Sequence, residues 1–240
     1  MASKEASEVA VVVGVGAGTG ASLARRFARE YSVALIARNA DYLHKLGDEI
    51  RAAGGKAVEV PADAGDAAQL ARAFGEIRAK LGTPDVLLYN AGSGTFGNIL
   101  EITPEQYEAS WRINAYGAFV CAKEVAPAMI ERGRGVMLFT GATAGVKAGA
   151  KSVAFGPAKF AMRGLAQSLA RDLGPRGIHV AWINVDGAID IPRVRERAPQ
   201  IKAEDMLNPD AIADTYWHLA HQDRSAWTME LEVRPFKEKF

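Results

Sequence analysis

The chain alternates short apolar runs with longer stretches of helical period. Val9–Val15 is a continuous apolar run, too short for a helix and rich in β-branched residues, so it predicts a strand covered on both faces. Ala21 to Glu30 then places Leu23, Ala24, Phe27 and Ala28 at helical spacing. Val33–Ala37 predicts a second strand. Tyr42–Ala53 carries Leu43, Leu46 and Ile50 on one stripe, and Gly54-Gly55 stops it. The alternation continues with strands at Val58–Val60, Asp85–Asn90, Val136–Thr140, Ile178–Asn184 and Trp227–Val233. Helices fall between them at Asp66–Leu81, Pro104 to Arg132, Ala158–Leu173 and Pro209–His221, the last with Asn208 as its N-cap. Strands that alternate with helices of this length imply βαβ units. The predicted architecture is therefore α/β, a doubly wound parallel sheet of about seven strands with helices on both faces. No linker or internal repeat divides the 240 residues, which predicts one domain over 1–240.

Charge and cysteine content narrow the class. Lys plus Arg is 29 against 28 Asp plus Glu, so no broad basic footprint for nucleic acid is expected. The single cysteine, Cys121, cannot close an internal disulfide, which fits an intracellular chain. Met1 to Glu8 is charged and lacks the apolar stretch of a secretory signal. No run approaches the roughly 20 apolar residues of a membrane helix. A cytoplasmic protein without membrane or metal ligands is the expectation.

Gly14-Val15-Gly16-Ala17-Gly18-Thr19-Gly20 joins the first strand to the first helix. Glycine at such a turn lets backbone approach a pyrophosphate, and the helix N-terminus supplies N–H donors and the positive dipole end. A glycine run alone also simply makes turns. Its place at the first strand of an alternating chain favours nucleotide binding.

These residues resemble the short-chain dehydrogenase/reductase family. Gly14, Gly18 and Gly20 have that family's loop spacing. Asp63 stands where its adenine-contacting Asp lies, and Asn90-Ala91-Gly92 matches its Asn-Ala-Gly motif. Asn114 matches a structural and catalytic Asn, Lys159 the lysine of Tyr-x-x-x-Lys, and Gly187 the Gly of Pro-Gly. The resemblance implies a Rossmann fold and an NAD(P)-dependent oxidoreductase acting on a small molecule. It also implies pairing through the two long helices into a homodimer or homotetramer. Cofactor contacts are implied at Gly14, Gly16, Gly18, Thr19, Gly20, Arg38, Asp63, Asn90, Ala91, Gly92, Lys159 and Gly187.

The departures fall on the chemistry. The tyrosine of Tyr-x-x-x-Lys is Phe155, and the serine position falls on Ala142. Asp186 replaces the Pro of Pro-Gly, and Ile191 replaces a Thr after it. In such enzymes the tyrosine hydroxyl moves the proton while hydride passes to or from the nicotinamide. Phe155 has no such proton. Thr143, Thr140, Tyr89 and Tyr116 are the candidate substitutes, with Asn114, Thr143 and Lys159 as the catalytic set. Thr143 is the first choice as a substrate-orienting hydroxyl. Asp186 and Asp190 read as solvated loop carboxylates, or else as a base.

For cofactor choice, the second strand ends Ile36-Ala37-Arg38-Asn39 with no acid. Ala37 leaves nothing to repel a 2′-phosphate, and Arg38 can pair with one. NADP is favoured over NAD, although Ala17 lacks a second basic group. Ile191 to Leu207, rich in Arg and Glu (Arg193, Arg195, Glu196, Arg197, Glu204), predicts a lid whose charged run reads as solvated helix surface, or else as favouring an anionic substrate. Two functional readings stay open. One is an oxidoreductase with an atypical proton donor. The other is a non-catalytic dinucleotide-binding protein acting as redox sensor or interaction partner. A subunit that binds no nucleotide is a third.

Overall fold

Seven parallel strands form one sheet in the order β3-β2-β1-β4-β5-β6-β7. The computed structural model describes residues 8–238, so the readings on Met1 to Ser7 and on the last two residues lie outside it. The strands are β1 Val9–Val13, β2 Ser32–Ala37, β3 Lys56–Pro61, β4 Val86–Tyr89, β5 Gly135–Thr140, β6 Ile178–Val185 and β7 Glu230–Val233. The helices are α1 Thr19–Phe27, α2 Ala40–Ala52, α3 Ala67–Lys80, α4 Pro104–Trp111, α5 Gly117–Arg132, α6 Phe155–Leu173, α7 Pro192–Arg197 and α8 Pro209–Ala220. This is the single doubly wound α/β domain that the alternating pattern implies.

Strand alternation sorts the core into two layers. Val9, Val11 and Val13 of β1 pack with Leu70, Phe74 and Ile77 of α3, Cys121, Val125 and Met129 of α5, and Met162 and Ala166 of α6. Ala10 and Val12 point the other way, toward Leu23 and Phe27 of α1, Leu43 and Ile50 of α2, and Ile212 and Tyr216 of α8. Each face therefore excludes water, which is why these strands are apolar without alternation. Among the described residues no helix is long and apolar enough to cross a membrane.

Element ends differ from the sequence reading in instructive ways. The first strand stops at Val13 because Gly14 turns at φ 90°, into a conformation that suits glycine. The helix expected from Pro104 to Arg132 is split by a π-helical turn over Arg112–Tyr116. Asn114 is the physical reason. Its Nδ2 donates to the carbonyl of Ser110 at 2.9 Å, four residues back, so a side chain competes for the carbonyl that an α-helical backbone bond would use. Helix α6 begins at Phe155 rather than Ala158, and the last strand spans only Glu230–Val233.

Strand order reverses at β1, which lies between β2 and β4. At that switch point the loops after β1 and β4 part and leave a crevice, the usual ligand position in such sheets.

Candidate active site

The crevice is a cleft of about 1040 Å³ beyond the carboxyl ends of β1, β2, β4 and β5. At one end the glycine loop is held very close to its neighbour. A Cβ at Gly14 would lie 2.4 Å from Ala91 Cα, and Asn90 Nδ2 donates to the Gly14 carbonyl at 3.0 Å. Gly16 is different, since a Cβ there would meet nothing within 4 Å. Helix α1 starts without a capping side chain and without an acidic residue in its first turn. Asn39, Asp66, Thr103 and Asn208 cap α2, α3, α4 and α8. Ala21 N–H is taken by the Gly16 carbonyl at 3.2 Å, which leaves the Thr19 and Gly20 N–H groups of α1 without an acceptor among the described residues. Thr19 Oγ1, at the same end, is buried without a hydrogen-bond partner among the described residues. Unfilled donors, a positive dipole end and a free hydroxyl fit a phosphate group. Further along the wall, Arg38 is exposed and lies 3.9 Å from Asp63.

At the other end the wall is made of side chains. Phe96 and Phe155 face each other with ring centroids 5.3 Å apart, and Ala142 lines the cleft beside them. Lys159 is buried one turn along α6 from Phe155. Its Nζ donates to the Thr140 carbonyl at 2.8 Å and sits 5.7 Å from the Phe155 ring. Burial alone pushes its pKa down from the usual lysine range to about 7. Asn114 donates through Nδ2 to Ser93 O at 3.0 Å, and its Oδ1 has no partner among the described residues. A Cβ on Gly92 would lie 3.2 Å from that Oδ1 and 3.5 Å from Lys159 Nζ, but Asn114 itself is fully buried and does not line the cleft.

A hydrogen-bond chain ties the two ends together. Tyr216 OH donates to Thr140 Oγ1 at 2.8 Å, and Thr140 Oγ1 donates to Asn90 Oδ1 at 3.2 Å. Asn90 then holds Gly14.

Every residue the sequence singled out for cofactor contact lines this one cleft: Gly14, Gly16, Gly18, Thr19, Gly20, Arg38, Asp63, Asn90, Ala91, Gly92, Lys159 and Gly187. The substitutes for the missing hydroxyl do not gather in the same way. Thr143 is outside the lining, and its hydroxyl donates to the Asp186 carboxylate. Asp186 is buried, not solvated, and its other oxygen lies 3.4 Å from Arg234. Tyr89 is fully buried, donates to Ile113 O at 2.5 Å, and has its pKa raised well above the phenol range by that burial. Tyr116 stacks on Trp111 at 5.6 Å, outside the cleft lining. Thr140 lines the cleft but spends its hydroxyl on Asn90. Sequence reasoning missed Phe96 and Ser93, which sit in a loop without periodicity. It also missed that Arg193 and Arg197 of the lid line the cleft.

Residues 8–200 match the family model described as short chain dehydrogenase, so the chain belongs to the short-chain dehydrogenase family. A short-chain dehydrogenase from Rhodopseudomonas palustris superposes with a TM-score of 0.84 at 35% identity, covering 96% of this chain and 99% of that one. A metagenomic short-chain oxidoreductase solved in complex with NADP gives 0.85 at 30% identity, covering 98% and 100%. Among sequence relatives, the short-chain dehydrogenase/reductase eriH of Hericium erinaceus is 35% identical over 137 residues, 57% of this chain and 54% of that one. The chain thus matches about half the length of that relative.

Proposed function

We propose that this protein is an NADP(H)-dependent oxidoreductase whose proton-holding group is Lys159 and not a hydroxyl. The observation that carries the reading is the single cleft joining an unfilled phosphate cradle to a buried lysine. The glycine loop, Thr19 and the start of α1 would hold the pyrophosphate, Arg38 the 2′-phosphate, and Lys159 a ribose hydroxyl. A neighbour with the same fold binds NADP. When bound, the dinucleotide supplies or accepts hydride.

The rest falls to this chain's own residues. We read Phe155 and Ala142 as standing where related enzymes keep their Tyr and Ser. The head of the cleft then has apolar walls and few groups that can move a proton. Lys159 spends one of its three N–H groups on Thr140 O, which leaves two for the space above Gly92. With a pKa of about 7 it exchanges a proton near neutrality. Asn114 Oδ1, without a partner among the described residues, has an open acceptor position close to Gly92. Phe96, 62% exposed, and Phe155, tilted at 59° to it, offer apolar ring surface to a small organic substrate.

The second reading, a dinucleotide-binding protein without turnover, is favoured by the same apolar head. Fluorescence titration with NADPH and an assay of Phe155→Tyr on simple ketones separate the two. Saturable binding is expected. General acid catalysis is worth about 10²–10⁴-fold, so the Tyr variant should gain about a hundredfold in ketone reduction. A wild-type protein that binds NADPH but oxidises none across a broad carbonyl panel supports the second reading. One that binds no NADPH defeats both.

A further inference from the structure

Helix α7 carries three arginines with two different fates. Arg195 is fixed to Asp190 by two bonds, at 2.5 and 2.6 Å. Arg193 and Arg197 are four residues apart and so share a helix face. Both line the cleft, and no ion pair holds either of them among the described residues. The residue before the helix fixes where that face sits. Ile191 rests on the glycine loop, since a Cβ at Gly18 would lie 2.4 Å from its Cγ2. The far end of the lid is tied down too. Ile189 bridges Leu207, and Lys237 pairs with Glu204 at 2.6 Å and Asp205 at 3.0 Å.

Charge arithmetic shows what this face is for. The charged residues lining the cleft are Arg38, Asp63, Lys159, Arg193, Glu196 and Arg197. Without α7, Arg38 is offset by Asp63 at 3.9 Å, and Lys159 is buried at the other end. A pyrophosphate diester brings two negative charges to the glycine loop. The whole chain has a net charge of only +1, so no general field attracts it. The lid arginines are the remaining local cations.

Resting on the dinucleotide reading above, we infer that Arg193 and Arg197 form a cationic lid face that binds the cofactor's pyrophosphate across from the glycine loop. Glu196, on the same lid, opposes them. Affinity for the diphosphate is thus set by side chains of the lid, and preference for the 2′-phosphate separately by Arg38.

Calorimetric binding of three probes across a series of ionic strengths tests this. Adenosine diphosphate carries the diphosphate alone, adenosine 2′-phosphate carries the other group alone, and NADPH carries both. In Arg193→Gln/Arg197→Gln, adenosine diphosphate and NADPH should each bind about tenfold more weakly, with a shallower salt dependence. Adenosine 2′-phosphate should bind as in the wild type. Arg38→Gln should show the converse, losing affinity for adenosine 2′-phosphate and NADPH but not for adenosine diphosphate. Glu196→Gln should strengthen diphosphate binding about twofold, a sign that a merely structural role of the lid would not give. Adenosine diphosphate binding within twofold of wild type in the double variant overturns the assignment. So does a loss confined to the 2′-phosphate. If the wild-type protein binds none of the three probes, the dinucleotide reading fails with it.

Discussion

At the Gly14–Gly20 end of the cleft the near wall is mostly backbone, with the Arg193 and Arg197 side chains of the lid also lining the cleft. At the Phe155 end the groups are side chains drawn from the loop after β4, from the end of β5 and from α6. The first end is built by what is missing, namely Cβ atoms and a cap on α1. The second is built by what has been brought together across long stretches of chain. Phe96 meets Phe155 across 59 residues of sequence, and Asn114 and Lys159 both approach Gly92. A backbone cradle constrains residue type tightly but chemistry hardly at all. A side-chain site constrains chemistry, and a change of one residue changes what it can do.

The largest expected effect breaks the cradle from within. At Gly14 a methyl group would enter the Ala91 backbone at 2.4 Å, and φ is 90°. Gly14→Ala should lose about 3 kcal/mol of stability and most of its NADPH affinity. Gly16→Ala is the sharper partner, because its methyl would meet no protein atom within 4 Å. It should fold normally and bind NADPH about tenfold more weakly, since the methyl group enters the space read here as the pyrophosphate's. Urea unfolding alongside fluorescence titration separates the two outcomes. Equal stability losses in both variants would show that the loop's openness at Gly16 has no bearing on the ligand.

This contrast also explains what could be read from the sequence. The glycine spacing and the Asn-Ala-Gly turn are local, so the cradle was legible, and so were the two-faced strands around it. Helical period runs unbroken through Arg112–Tyr116, so the π-helical turn was invisible. Only the Asn114 side chain, bonding back to Ser110, makes it. Asp186 looked like a solvated loop carboxylate because its neighbours in sequence are loop residues. Its actual partners, Thr143 and Arg234, are 43 and 48 residues away. Thr143 was the best substitute hydroxyl on spacing, and that same contact takes it out of the cleft lining. Tyr89 failed as a proton donor because β4 is central and buries it.

Lys159 is a buried cation without an ion-pair partner among the described residues. The groups facing it from β5, the π-helical turn and its own helix are Thr140, Asn114 and Phe155, all uncharged. Its folded pKa of about 7 lies below the ordinary lysine value near 10.4. Between those two pH values the unfolded chain binds the extra proton. Stability from this group therefore rises with pH across that window. Lys159→Met removes the rise. Relative to the variant, the wild-type protein should gain about 2–3 kcal/mol between pH 7 and pH 9.5 in urea unfolding. A constant difference across the window would mean that Lys159 stays charged in the folded protein.

The smallest effect probes the hydrogen-bond chain that couples the two ends. Tyr216 is fully buried on α8 and touches no ligand space, yet its hydroxyl donates to Thr140 Oγ1. Thr140 hands the chain on to Asn90, and Asn90 fixes the Gly14 carbonyl. Thr140 also gives its own carbonyl to Lys159. Tyr216→Phe keeps the ring in the core and removes one donor, so it should lose about 1 kcal/mol of stability. If the chain only adds stability, NADPH affinity should stay within twofold of wild type. If it positions the cradle, affinity should fall about threefold, and Thr140→Val should produce the same loss without adding to it in the double variant. We expect the second outcome, because Asn90 has no other described group orienting its carbonyl oxygen, and a rotated Asn90 amide releases the glycine loop at its tightest point.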